Sequence, residues 1–260
     1  MSTPTMDQLI EKTRAHVEHY MKSYDPSHDY SHLLRVRQTA RDIEADQRIR
    51  FPHLNIDSTV VILSALLHDV GDRKYVKEHE NPATLVRDSL LAFGAPSHLA
   101  NKVQLICTNV SWNSEVKSIQ NEKAVAELCS EIPELAIVQD ADRLDSIGAT
   151  GIARVFAFSG AKCHERGLST GHFHEKLLLL VDRMKTPLGR KLAAEQTERM
   201  RTFIWWWGIE TDKVEGLADE MERQEKAEVV KWKKIEEERK KWANGTGKEI
   251  EHNLDAEDLS

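Results

Sequence analysis

Apolar residues recur along this chain three or four positions apart, the spacing of a buried helix face, and no long stretch alternates in the two-residue rhythm of a strand. Met6, Leu9, Ile10, Thr13 and Val17 form a stripe that continues to Tyr20, Met21 and Tyr24 before Asp25-Pro26 interrupts it. A second helix is predicted from about Asp29 or Ser31, with Leu33, Val36, Ala40 and Ile43 on one face, and Phe51–Asn55 reads as a loop. Val60 to Val70 is apolar on nearly every side, with Asp57 or Ser58 placed to cap it, which is the pattern of a central helix. Gly71-Asp72 closes it. Asn81-Pro82 opens a helix to Phe93, Gly94–Ser97 turns, and Leu99 to Val110 is helical again. Residues 111–120 are expected to form an exposed loop, followed by helices over about 122–130 and 133–142. Ser146–Gly160 is punctuated by glycine, His164–Gly171 is a polar loop, and His172–Asp182 is a short helix with four consecutive leucines. From Pro187 a helix could extend to about Trp242, with Gly208 and Gly216 as places to break.

Composition agrees with an all-α fold. Gly (12) and Pro (7) are sparse in 260 residues, and good helix formers are plentiful. The net charge of −7 gives no global basic field for a nucleic-acid polymer or an anionic membrane. The N-terminal residues lack the apolar core of a signal peptide, and no stretch reaches the length of a membrane span. Cys107, Cys129 and Cys163 are far apart in sequence and form no CxxC pair, so reduced thiols are expected. A cytoplasmic protein fits these features, with the nucleus as an alternative. Glu222–Lys241 is dominated by Glu and Lys, a solvated or partner-facing composition, and residues from Asn244 onward carry no period.

Three segments carry chemistry. His68-Asp69 follows the apolar run Val60–Leu67, and an ionisable pair at a buried helix end is costly unless hydrogen bonds or a metal satisfy it. His28 and His32 stand four residues apart on one helical edge. Asp140, Asp142 and Asp145 crowd the end of an apolar stretch, and neighbouring carboxylates repel unless a cation sits among them. A satisfied His–Asp pair accounts for the first without a metal. N-caps at Asp29 and Asp140 with a surface ion pair to Arg143 would account for part of the others, though not for all three carboxylates.

The segments "HDYSHLLRV", "ALLHDVGDRKY" and "VQDADRLDSIGATGIARVFAFSG", in that order, resemble the HD-domain phosphohydrolases. "HFHEKLLLL" narrows the resemblance to the branch that includes bacterial nucleotide pyrophosphohydrolases. It covers roughly residues 5–205 and implies an HD-type helical bundle over 1–205, while composition predicts a charged helical extension over 206–243 and a disordered tail over 244–260. It implies metal ligands at His32, His68, Asp69 and Asp142, with Asp140 the second choice for the last and His28-Asp29 a decoy dipeptide. The mixed N/O set suits Mn²⁺ first, with Mg²⁺, Fe²⁺, Co²⁺ or Zn²⁺ as alternatives. The implied reaction is metal-assisted hydrolysis of a (deoxy)nucleoside triphosphate to monophosphate and pyrophosphate.

Asp69, Asp72, Arg73 and Lys74 form the expected catalytic set, the two cations beside the metal suiting a polyphosphate leaving group. The same Arg73 and Lys74, with Asp145, His172 and Lys176, are the substrate-binding candidates; a solvated charged turn is the plain alternative for the pair, and helix capping for Asp145. Trp205-Trp206-Trp207 reads as a packing patch. A 5′-nucleotidase or phosphodiesterase could use the same site. A scaffold protein using the charged C-terminal helix is the reading from another class, which four intact ligands oppose. A homodimer is an open assembly.

Overall fold

Thr5 starts the first helix by a reciprocal cap: its hydroxyl accepts the Gln8 N–H while the Gln8 side chain accepts the Thr5 N–H at 2.9 Å. The computed structural model describes residues 4–72, 76–78, 80–162 and 168–211, and among them it is helical throughout, without strands. Helix α1 (Met6–Tyr20) buries Leu9, Thr13 and Val17, the predicted stripe, and passes through a short 3-10 turn at Met21–Ser23. Asp29 caps α2 (Tyr30–Arg50) by accepting the His32 N–H, and Leu33, Val36, Ala40 and Ile43 are buried as expected. Asp57 caps α3 (Ser58–Leu67), where seven of the ten side chains are buried. Helix α3 packs against α1, α2, α5 and α8, so it is the central rod of the bundle. Truncating Leu66 or Leu67 to Ala should cost roughly 2–5 kcal/mol, as for other fully buried leucines.

Helix α3 stops at Leu67 rather than running to Val70. His68 is its C-cap, and the chain turns through Val70 N–H to Leu67 O and Asp72 N–H to Asp69 O, ending on Gly71 at φ 83°. Only glycine takes that backbone region without strain. The His-Asp pair therefore sits on a tight turn at the helix end.

Helices α4 (Leu85–Ala92), α5 (Ser97–Val110), α7 (Ile119–Glu131) and α8 (Pro133–Asp145) follow the expected order, with α4 starting later than Asn81-Pro82 suggested. The segment expected to be an exposed loop contains instead α6 (Trp112–Val116), with Trp112 and Glu115 buried. Two guanidiniums explain this. Arg143 forms an ion pair with Glu115, Lys185 Nζ donates to the same carboxylate at 3.0 Å, and Arg143 and Arg183 each lie 5.8 Å from the Trp112 ring. Arg143 is thus an interior cation, not half of a surface ion pair.

The glycine-punctuated segment is a helix, α9 (Gly148–Lys162). His172–Asp182 is not one helix: α10 (Gly171–Glu175) breaks at Lys176, and Leu177–Arg183 continues as 3-10 turns. Helix α11 (Pro187–Thr211) runs unbroken through Gly208 and across the expected boundary at 205/206. Its start is fixed by Asp140, which is fully buried and accepts the Lys185 N–H (2.9 Å), the Thr186 N–H (2.7 Å) and the Thr186 hydroxyl (2.7 Å). A Cβ at Gly189 would lie 2.3 Å from that carboxylate, so only glycine permits this approach. In the Trp run, Trp205 and Trp206 are exposed, while Trp207 stacks on Phe156 at 5.4 Å. No helix among the described residues is long and apolar enough to cross a membrane. The expected extension beyond Thr211 and the tail lie outside the described residues.

Candidate metal centre

Three helix positions converge: His32 from the first turn of α2, His68 at the end of α3, and Asp142 from the last turns of α8. Their ligand atoms lie within 4.8 Å of one another. The two Nε2 atoms are 3.2 Å apart, and Asp142 Oδ1 is 3.5 Å from each. Asp69 brings Oδ2 to 3.3 Å from His32 Nε2 and Oδ1 to 3.4 Å from His68 Nε2. Both histidines are buried.

The tautomers follow from the partners. His32 Nδ1 lies 2.7 Å from Asp145 Oδ2, and His68 Nδ1 lies 3.0 Å from the Ala65 carbonyl. A carboxylate and a carbonyl can only accept, so each Nδ1 carries its hydrogen and each neutral ring presents a bare lone pair at Nε2. Two lone pairs facing each other at 3.2 Å, with two carboxylates around them, repel unless a cation lies between. Asp69 Oδ2 is buried with no hydrogen bond of good geometry. Two imidazoles and two carboxylates are the donor set of a transition-metal or mixed N/O divalent site, so the residues present fit a divalent cation.

Without a metal, protons fill this role. Burial opposes charge on His68, but Asp69 and then Asp142 outweigh it and push the imidazole up to about 9. Burial would raise Asp142, but the His68 hydrogen bond and charge bring it down to about 2. Asp69 behaves likewise: burial would raise it, and His68 above all, then His32 and His28, hold it well below the usual carboxylate range.

Asp140 does not reach the cluster; its carboxylate is taken up at the start of α11, so Asp142 is the carboxylate of the Asp-Ala-Asp step that faces the histidines. Asp145 lies behind His32, where Arg35 and Arg154 also donate to it, and is held below the carboxylate range despite its burial. Asp72 sits on the turn after the His-Asp pair, its carbonyl accepting the Val76 N–H at 2.9 Å. His172 pairs with Glu175 at 3.5 Å and is not in the ligand group, and Lys176 marks the break after α10. Arg73 and Lys74 lie outside the described residues.

Three neighbours escaped the sequence reading. His28, set aside as a decoy, has its ring 6.2 Å from His32 and 6.0 Å from Phe158, while its partner Asp29 is the helix cap. Tyr24 lies beside the acidic turn: burial above all, then Tyr20, Asp69 and Asp72, drive its phenol far up. Arg154 comes from α9, and nothing in its local pattern marks it out. A His at i−4 from a ligand was the one available signal for His28.

An HD-domain family model matches residues 29–147. The uncharacterised protein YpgQ of Bacillus subtilis is 33% identical over 198 residues, covering 75% of this chain and 89% of that protein. The crystal structure of B. subtilis YpgQ in complex with ADP superposes with a TM-score of 0.62 at 31% identity, over 82% of this chain and 99% of that one. An HD-superfamily hydrolase from Bacillus thuringiensis gives a TM-score of 0.59 at 28% identity, over 80% of this chain and 99% of the other.

Proposed function

The chain belongs to the HD-domain family of phosphohydrolases, and from that premise we propose that it hydrolyses (deoxy)nucleoside triphosphates to monophosphate and pyrophosphate, with a divalent cation held by His32, His68, Asp69 and Asp142. The observation that carries the reading is the pair of imidazole lone pairs converging at 3.2 Å among carboxylates. A cation bound there supplies Lewis-acid activation of water and phosphate oxygen. We take Mn²⁺ as the first candidate. The protein's own groups then divide the work. The Nδ1–H donors of His32 and His68 aim their Nε2 atoms inward. Asp69 and Asp142 bring the negative charge that balances a dication. Arg73 and Lys74, next along the chain from Asp72, are assigned to the leaving phosphates, where their charge offsets what builds up as the bond breaks. In the reaction, water adds at the α-phosphorus and the bridging bond to the β-phosphate breaks.

A nucleotide substrate is supported by the relative YpgQ, which was crystallised in complex with ADP. His172 and Lys176 are kept as candidates for substrate contact, and Asp145 is engaged with His32 instead.

The test is turnover by metal-stripped protein reloaded with Mn²⁺, Mg²⁺, Co²⁺ or Zn²⁺, on nucleoside tri- and monophosphates, with phosphate and pyrophosphate followed separately. Pyrophosphate released one-for-one with monophosphate, and lost in His68→Ala, is the expected result. Phosphate from monophosphates with no pyrophosphate would replace the reading with a monophosphatase. Absence of both metal binding and turnover would leave a binding protein.

A further inference from the structure

One carboxylate near the site touches no candidate metal position yet is held more tightly than any that does. Asp145, on the last turn of α8, is buried and receives four donors. The His32 Nδ1–H reaches Oδ2 at 2.7 Å, Arg35 Nε reaches Oδ1 at 2.6 Å, and Arg35 Nη2 and Arg154 Nη1 reach Oδ2 at 3.0 and 3.1 Å. The arginines are themselves held: Arg35 Nη1 donates to Ser31 Oγ at 2.8 Å, and Arg154 Nε to the Ser27 carbonyl at 2.6 Å. Arg35 grips both oxygens, which fixes the plane of the carboxylate as well as its position. A buried carboxylate close to Asp69 and Asp142 would be strongly unfavourable alone, and the two guanidiniums supply the compensating charge.

We propose that Asp145, clamped between Arg35 and Arg154, is the positioning residue that fixes the His32 ring with Nε2 toward the metal, so that α9 is a working part of the metal centre. Arg154 lies beyond residues 29–147, the segment matched as an HD domain. The helix that supplies it is thereby tied to the chemistry through one carboxylate. The inference rests on the metal reading of the preceding subsection. Hydrogen-bond partners of metal-bound histidines fix ring orientation and raise ligand basicity, and their loss typically costs about 10–100-fold in metal affinity.

The experiment measures Mn²⁺ affinity of the full chain by competition with a chromophoric chelator, with thermal unfolding of the metal-free proteins followed in parallel. The variants are Asp145→Ala, Arg154→Met and Arg154→Lys. Asp145→Ala should bind Mn²⁺ about 10–100-fold more weakly, and Arg154→Met roughly three- to tenfold more weakly. Arg154→Lys should recover part of the loss by restoring one donor. A purely structural role would lower the melting temperature and leave affinity unchanged in both Asp145→Ala and Arg154→Met, which would overturn the inference while the metal reading stands. If Asp145→Ala does not fold, Arg154→Met decides by the same criterion. Wild-type protein that binds no Mn²⁺ would overturn the metal reading, and this inference with it.

Discussion

The Asp-Ala-Asp step of α8 places two carboxylates two residues apart in opposite roles, and single substitutions should separate them. Asp140→Ala removes the acceptor for the Lys185 and Thr186 N–H groups and the Thr186 hydroxyl at the start of α11. An unpaired buried donor costs about 1–3 kcal/mol. The two amides therefore amount to roughly 2–6 kcal/mol, taking each at that range. Part is offset, because burial pushes the Asp140 carboxyl up despite those hydrogen bonds. A net loss in the lower part of that range, about 2–4 kcal/mol, is expected. In a chain of this size that corresponds to roughly 5–15 °C in melting temperature. Mn²⁺ affinity of the folded protein should change little. Asp142→Ala should act on the metal instead: affinity should fall by about 100-fold or more, as for loss of a direct ligand, while the metal-free protein keeps the start of α11 and loses only the share of the His68 stabilisation that Asp142 supplies. Circular-dichroism melts and a metal competition assay on the same samples provide both readings. If Asp140→Ala loses metal at unchanged stability while Asp142→Ala binds normally, the assignment of the two carboxylates is wrong.

Glu115→Ala should cost about 3–5 kcal/mol in urea unfolding, because it strands Arg143 as a buried cation beside the partly buried Lys185. Burial would raise the Glu115 carboxyl, but Arg143 and Lys185 hold it below its usual value, so its contribution is present above the ordinary carboxylate range and lost as pH falls through the lowered one. The variant should therefore show a flatter acid limb. His68 titrates in the opposite sense in metal-free protein. Its imidazole stands at about 9 against an ordinary 6.5, so its stabilisation is complete below about pH 6.5 and lost as pH rises through about 9. Unfolding of chelator-treated protein across that window should show the decline, and Mn²⁺ uptake near pH 7.5 should release a proton into weakly buffered solution. Arg73→Ala or Lys74→Ala should lower triphosphate turnover by roughly tenfold to a thousandfold with little change on a single-phosphate substrate; equal loss on both would move the clamp to the attacked phosphate.

Where the sequence was legible, periodicity and capping chemistry coincided. The buried stripes of α1 and α2 and the all-round apolar α3 could be read residue by residue, because an isolated turn of chain already dictates them. The clustered residues were reached by a different route: His32, His68, Asp69 and Asp142 sit in the segments that carry the family resemblance, and the bundle brings these side chains within a few ångströms of one another. What could not be read depends on partners far away in sequence. Residues 111–120 look polar, yet Glu115 is interior because Arg143 and Lys185 arrive to neutralise it. Residue type and spacing do not separate Asp140 from Asp142; the resemblance put Asp142 first, and the helical rotation between them turns Asp142 to the histidines and Asp140 to the start of α11. His28 looked redundant beside His32, and Arg154 falls inside one of the quoted segments with no role of its own until Asp145 is seen beside it.

The pairing of His32 with Asp145 joins residues 113 apart in sequence. A cation shared by α2, α3 and α8 would therefore act as a cross-link closing a loop of about that length, in the manner of a disulfide that can be removed with a chelator. In the chain-entropy view a closure of this size is worth on the order of 4–5 kcal/mol against the unfolded ensemble. Such a closure requires contacts between elements far apart in sequence to be in place first. The site then doubles as a clasp on the finished topology, and the supply of metal in the surroundings becomes a term in how long the folded chain survives.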